Sequence, residues 1–328
     1  MKIVIPMAGY GSRLRPHTYS RPKPLITIAG QPMLKHLLDS LAVLNIDEYI
    51  FIVGYLGDQL EAYITKTYDF KSRFVRQEEL IGQSPAIYLA RSYLNGRTIV
   101  LFADTLFETD LSVIETTSAD AIAFVKEVDD PRRFGVVEVD ANGKITRFIE
   151  KPTSMDNKNV VIGLYYIRDA AKMLHAIETQ VESDRKTKGE FFIADAFQIM
   201  VEQGATFRTQ PVSIWLDTGK PETVLETNRY LLGHGFDNGS DLQLTDVVVI
   251  PPVHIHPSAT LRNTIVGPYT TIGENCEIRD SIIRDSIIEA GAVIQKTILD
   301  QSLIGERAEV VGQDHTVIAG DQSSIHFT

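Results

Sequence analysis

Cysteine is nearly absent: one residue, Cys276, in 328 permits no intrachain disulfide, so the fold has to rest on burial and hydrogen bonding. Long apolar runs are missing too. No stretch reaches the roughly 20 residues of a membrane-spanning helix, and the opening Met1-Lys2-Ile3-Val4-Ile5-Pro6 is too short and too soon interrupted for a secretory signal. A cytoplasmic protein without a membrane partner is therefore expected. Positive charge is scarce, with 32 Lys and Arg against 43 Asp and Glu and a formal net charge of −11. That balance argues against nonspecific nucleic-acid binding, whose affinity comes from clustered cations on phosphates. A local cationic pocket can still take a nucleotide.

A chain of this length, with 44% hydrophobic residues, carries a sizeable core and is expected to form two domains. Through residue 235 short β-rich apolar runs alternate with helical periodicity, the pattern of a three-layer, Rossmann-like α/β domain with a mixed, mostly parallel sheet. Ile3 to Pro6, Tyr49 to Val53, Thr98 to Phe102 and Ala121 to Val125 read as its central strands, Met33 to Leu44 and Gln59 to Thr67 as helices. Residues 236–328 differ. An aliphatic residue recurs every five or six positions, at Ile255, Leu261, Val266, Ile272, Ile278, Ile283, Ile288, Ile294, Leu299, Ile304 and Val310. Each longer period also holds a small residue, at Ala259, Cys276, Ala292 and Ala308. Such units are coils of a triangular β-helix, here about three and a half of them. Cys276 occupies an alanine slot and is expected to be a buried structural thiol. The glycines and polar residues of 233–239 suit a hinge or a tight crossover between the domains.

The residues after the first strand carry the chemistry. Met7-Ala8-Gly9-Tyr10-Gly11-Ser12-Arg13 leads to Pro22-Lys23-Pro24-Leu25, where glycines let backbone N–H groups approach an anion and Arg13 and Lys23 add fixed positive charge. Ser12 is expected to start a short helix pointing its positive end at the same anion. Spacing rules out two familiar phosphate loops. A dinucleotide fingerprint needs glycine where Leu14 stands, and Gly-Lys-Ser/Thr occurs nowhere. Asp104 follows the strand ending at Phe102, so its carboxylate reaches the sheet-end pocket where ligands of such sheets bind.

Gly-x-Gly-x-Arg followed by Pro-Lys-Pro-Leu resembles the opening of the sugar-1-phosphate nucleotidyltransferases. The resemblance implies a catalytic domain over 1–235, a left-handed hexapeptide-repeat β-helix over 236–328, and transfer of a nucleotidyl group to a sugar-1-phosphate with release of pyrophosphate. It implies that Ala8, Gly9 and Gly11 hold the nucleotide and that Arg13 and Lys23 act in catalysis. Leu101 to Phe107 and Trp215 to Gly219 are similar to the family's two metal motifs, which makes Asp104 and Asp217 ligands of Mg²⁺. In Ile149-Glu150-Lys151-Pro152 the lysine would meet the sugar phosphate and the glutamate a sugar hydroxyl. Gly135, in Phe134 to Glu138, and Gly163, in Ile162 to Tyr166, fall in segments similar to the sugar site. Gln77 and Gly82 resemble the nucleobase-reading segment, although Gln83-Ser84-Pro85-Ala86 departs from the usual sequence after that glycine.

The Trp215 motif, Gly163-Leu164-Tyr165 and Gly189 to Asp195 look most like glucose-1-phosphate thymidylyltransferases. The first loop is one residue shorter than in those enzymes and matches the length in bacterial glucose-1-phosphate uridylyltransferases, so dTTP is expected first and UTP second. A mannose-1-phosphate guanylyltransferase is a further alternative. From other classes come a non-catalytic nucleotide-sugar-binding regulatory subunit and an added acyltransferase. The latter would need a β-helix histidine, and His254, His256, His315 and His326 all lie outside the full coils. The β-helix is expected to serve packing or homo-oligomer assembly.

Overall fold

Two compact units make up the protein, and the computed structural model describes residues 1–242 and 244–312, the side chain of Asp241 excepted. The first unit comprises Met1–Ile26 and Gln31–Val224. Its nine-stranded sheet runs in the order Ile145–Glu150, Gly135–Val139, Asn159–Ile167, Thr98–Leu101, Lys2–Pro6, Glu48–Val53, Ser72–Arg76. Lys2–Pro6 pairs in parallel with Glu48–Val53 and Thr98–Leu101. Glu48–Val53 is buried at every position, as a strand covered on both faces must be. One core joins Val4, Ile50 and Val100 of this sheet to Met173, Ile177 and Phe197 of the helices Ala170–Glu182 and Ile193–Glu202.

Three of the four expected strands occupy the parallel centre; the fourth does not. Ala121–Glu127 pairs antiparallel with Asn159–Ile167 and parallel with Phe207–Pro211, a placement made by chain segments more than thirty residues away. The helix expected over 33–44 stops at Ser40. Ser40 Oγ turns back to the Leu37 carbonyl at 2.7 Å, and Val43, whose apolarity extended the pattern, is 78% exposed.

The second unit comprises Thr27–Gly30 and the chain from Leu225 onward. The division falls before the expected boundary at 235. Within this unit Arg229, on the helix Pro221–Leu231, pairs with Asp285, and Asn228 donates to the Tyr269 carbonyl at 3.1 Å. The stretch expected as a hinge or a tight crossover is bound, as a crossover would be. Asp237 Oδ1 accepts the Val253 N–H at 2.7 Å, and Asn238 Oδ1 accepts that of Ile255 at 2.9 Å, so this stretch caps the first coil.

Among the described residues the coils form three parallel sheets of four strands each, a short parallel β-helix of the left-handed hexapeptide type. Register stacks the periodic residues on one another: Ile255 on Ile272, Ile288 and Ile304, and Leu261 on Ile278, Ile294 and Val310. A further rung, Val247–Val249, lies ahead of the first periodic isoleucine. Corners turn at Asp246, Asn263, Asp280 and Lys296, all with positive φ, a backbone that Asn and Asp adopt more readily than other side chains. Cys276 is 1% exposed and its Sγ meets the Glu289 carbonyl at 3.1 Å. Burial raises its thiol pKa, as expected of an inert packing residue. Among the described residues no helix is long and apolar enough to cross a membrane.

Candidate functional site

Three cavities open at the carboxyl ends of the parallel strands. The first, about 280 Å³, is lined by Gly9, Gly11, Arg13, Lys23, Asp104 and Gly219 among others. The second, about 360 Å³, takes in Gly135, Glu150, Lys151, Gly163 and Asp217, and shares Arg13, Phe102 and Asp104 with the first. The third, about 220 Å³, has Ala8 and Gln77 in its wall. The expected residues thus sort by cavity, the loop glycines with Arg13, Lys23 and Asp104 in the first, Gly135, Glu150, Lys151, Gly163 and Asp217 in the second, and Ala8 and Gln77 in the third.

In the first, Gly11 has φ +61, and a Cβ there would lie 3.0 Å from Thr18 Cγ2, so glycine is required by backbone and by space. Gly9 has open space at its missing Cβ. The helix expected from Ser12 is only the 3-10 turn Ser12–Leu14, with Gly11 at its cap and no side-chain capping bond. One turn carries little macrodipole, so what this loop could offer an anion is its backbone N–H groups and the two cations. Lys23 Nζ lies 3.0 Å from Asp104 Oδ2. Burial by itself would raise the Asp104 carboxyl, but Lys23 and then Arg13 hold it below the ordinary carboxylate range.

Asp217 is brought to Asp104 by a two-stranded antiparallel ladder, Thr105–Glu108 against Ile214–Asp217, which sets Asp217 opposite Thr105. Thr218 locks the junction, its N–H and hydroxyl both donating to the Asp104 carbonyl, at 3.1 and 3.0 Å. Asp217 Oδ1 accepts the Gly219 N–H at 2.9 Å. A Cβ on Gly219 would fall 3.0 Å from the Arg13 guanidinium, so this glycine gives Arg13 its seat. Each carboxylate commits one oxygen to a partner on the chain and keeps a second.

In the second cavity Gly135 stands opposite Glu150 in an antiparallel pair, and a Cβ there would lie 2.9 Å from the Glu150 carboxylate. Burial raises the Glu150 pKa to about 7, Lys151 opposing and Asp195 adding to the shift. Tyr165 beside it is pushed up by burial and by Glu150. Lys151 has φ +48, donates its N–H to the Phe134 carbonyl at 2.9 Å, and holds its ammonium 4.1 Å from the Phe192 ring centroid. Gly163 has φ +85 and accepts the Phe102 N–H at 2.9 Å.

In the third cavity Gln77 is 7% exposed and donates from Nε2 to the Glu79 carbonyl at 3.0 Å. Gly82 lines none of the three. With φ +137 it crosses Phe191, where a Cβ would lie 2.6 Å from the carbonyl oxygen, and the crossing brings Gln83 and Phe192 to Ala194 into the second cavity's wall.

Several lining residues escaped the sequence reading. Tyr10 and Tyr55 flank the third cavity with ring centroids 5.4 Å apart, and Gly54 fits between Ala8 and Gln77. Phe134 and Trp215 meet edge to face at 5.0 Å in the second, beside Arg133. Phe134, Tyr10 and Trp215 sit within two positions of Gly135, of both loop glycines and of Asp217, a usable signal. Tyr55 and Gly54 carried none.

A sequence model described as nucleotidyl transferase matches residues 2–233. The bifunctional protein GlmU of Methanococcus vannielii is 28% identical over 314 residues, 86% of this chain and 73% of that protein. The glucose-1-phosphate thymidylyltransferase of Streptomyces griseus is 26% identical over 354 residues, 98% of each. A crystal structure from Bacillus anthracis, provisionally assigned as a glucose-1-phosphate thymidylyltransferase, aligns with a TM-score of 0.61 at 24% identity over 75% of this chain and 97% of that one. That last likeness is one of fold.

Proposed function

The chain belongs to the nucleotidyl transferase family, and from that premise we propose that it joins a nucleoside triphosphate to a sugar-1-phosphate with release of pyrophosphate, using glucose-1-phosphate with dTTP first and UTP second. One observation carries the reading: a phosphate-sized and a sugar-sized cavity meet at Arg13 and Asp104, with Lys23 on one side and Lys151 on the other.

The reaction asks for no strong base. A phosphate monoester has its second pKa near ~6, so the attacking oxygen is already largely ionised at neutral pH. The barrier lies in bringing two polyanions together and stabilising the transferring group. Backbone N–H groups from Gly9 to Gly11, with Lys23, would hold the triphosphate. Lys151, steadied by Phe192, would neutralise the sugar phosphate, and Arg13 at the junction would face the α-phosphoryl group. Glu150 and the backbone at Gly135 and Gly163 would meet sugar hydroxyls. Gln77 would face the imide edge shared by thymine and uracil.

Asp104 and Asp217, as two hard-oxygen donors, suit Mg²⁺, which takes one or two carboxylates plus phosphate oxygens. When bound it supplies positive charge at the phosphates. Among the described residues of the β-helix, neither histidine has a part in the proposed reaction, and His256 Nδ1 meets the Ser258 hydroxyl at 2.8 Å. His254 is packed against Gly30 and burial lowers its pKa, while His315 and His326 lie outside the described residues.

Pyrophosphate release with glucose-1-phosphate and Mg²⁺, compared across dTTP, UTP, GTP, ATP and CTP, tests the proposal. Turnover with dTTP or UTP that is lost in Asp104→Asn and Asp217→Asn, and on chelation, is the expected result. Turnover only with GTP and mannose-1-phosphate would move the assignment to the guanylyl class. Tight nucleotide-sugar binding without any pyrophosphate would favour the regulatory subunit.

A further inference from the structure

One tyrosine touches the glycine–cation loop at both ends without a part in the chemistry proposed above. Tyr55 follows the strand Glu48–Val53 and is half-buried. Its ring lies against that of Tyr10, with centroids 5.4 Å apart, and its hydroxyl donates to the Tyr19 carbonyl at 2.7 Å. Nearby Gln59 Nε2 donates to the Ser20 carbonyl at 2.9 Å. One residue earlier, Gly54 lets the two chain segments close on each other, because a Cβ there would lie 2.9 Å from both the Ala8 side chain and the Ala8 carbonyl oxygen. All of these residues belong to the first unit.

Tyr10 and Tyr19 bracket Gly11 and Arg13, and Lys23 follows four residues after Tyr19. The bracketed stretch is closed on itself. The Gly11 carbonyl accepts the Leu14 N–H and the Thr18 hydroxyl, both at 2.9 Å, and the Tyr19 N–H reaches the Pro16 carbonyl at 3.0 Å. Leu14 is fully buried, and the Arg15 guanidinium lies 4.9 Å from the Tyr19 ring centroid. A segment so closed has little slack, so the place of its two ends sets where its backbone N–H groups and Arg13 stand. In the wall of the third cavity Tyr10 is 50% exposed and Leu80 44%. Apolar surface left open there suits a nucleobase, since every base has a π-face to stack.

We propose that Tyr55 is a positioning residue that ties nucleobase recognition to the triphosphate loop: its ring braces Tyr10, on which the base stacks, and its hydroxyl pins the Tyr19 end of the segment that carries Arg13 and leads to Lys23. The proposal rests on the triphosphate and base roles given above to the first and third cavities. The test measures the KM for dTTP and for glucose-1-phosphate, and inhibition by inorganic tripolyphosphate, which offers the loop phosphates without a base, all in the full chain. Tyr55→Phe, which keeps the ring and loses the bond to Tyr19, should raise the KM for dTTP and the inhibition constant of tripolyphosphate by the same factor, roughly two- to tenfold, the scale of one hydrogen bond. Tyr10→Ala should raise the KM for dTTP by about tenfold, the scale of one stacked base, and affect tripolyphosphate less.

Tyr55→Leu, which loses ring and hydroxyl, should weaken dTTP more than tripolyphosphate. In a Tyr10→Ala background it should cost no more than Tyr55→Phe, because the ring then has nothing to brace. The KM for glucose-1-phosphate should stay put throughout. Parental constants in Tyr55→Phe, a rise for dTTP without one for tripolyphosphate, a fully additive loss in the double variant, or equal rises for glucose-1-phosphate would overturn the proposal. Should Tyr55→Leu not fold, Tyr55→Phe and Tyr10→Ala carry the comparison. A parent that releases pyrophosphate yet is not inhibited by tripolyphosphate would remove the phosphate role of the loop, and the inference with it. No pyrophosphate with any nucleotide would instead be a failure of the proposed function itself.

Discussion

Glu150 sits where burial and neighbouring carboxylates outweigh Lys151, so its pKa rises from 4.5 to about 7. Between those values the folded protein binds more protons at this group than the unfolded chain does. Its contribution to stability is therefore fully present below about pH 4.5 and is lost as pH climbs through 7. Glu150→Gln should flatten that dependence, gaining more in thermal midpoint relative to the parent at pH 8 than at pH 4. Equal gains at the two pH values would show that the carboxyl titrates normally. In the proposed reaction Arg13 and Lys23 would act through their charge, and each alanine variant should lose about 2.7–4 kcal/mol of transition-state stabilisation, the scale of one removed electrostatic contact. Single-turnover rates read that loss directly. The types of these residues were legible in the sequence, since each sits in a glycine- or proline-punctuated motif. The seat of Arg13 against Gly219 was not, because it joins residues two hundred positions apart.

Among the elements, the strand Asn159–Ile167 shows how one glycine shapes two cavities. Its pairing with Ala121–Glu127 shifts register between Val161 and Tyr165, around Gly163 at φ +85. A Cβ at Gly163 would lie 3.2 Å from Phe102, which lines both the first and the second cavity. Gly163→Ala should therefore cost about 1–3 kcal/mol in backbone strain and also reduce kcat, checked by urea unfolding and steady-state kinetics. A variant with full stability and full activity would show that the bulge tolerates a side chain. Periodicity located the strands and helices because alternation and 3.6-residue spacing are local properties. It extended Met33–Ser40 too far because Val43 is apolar yet faces water.

For the molecule as a whole, the two units draw their stability from different patterns. In the coils, Ile288 is fully buried and stacked between Ile272 and Ile304. Ile288→Ala should cost about 2–5 kcal/mol through the cavity it leaves, visible as a lowered denaturation midpoint; a shift within error would mean the rungs collapse to fill it. From its sequence alone the protein is determined as an α/β nucleotide-handling unit followed by a β-helix, since strand alternation, coil period and glycine–cation loop are all written in neighbouring residues. Tertiary structure alone decided that Ala121–Glu127 lies outside the parallel centre, that Asp217 faces Thr105 beside Asp104, that Gly82 is a chain crossing, and that Thr27–Gly30 belongs with the coils. Each of those depends on contacts between segments distant in the chain, whose free energy comes from shared burial and exchanged hydrogen bonds that no local pattern records.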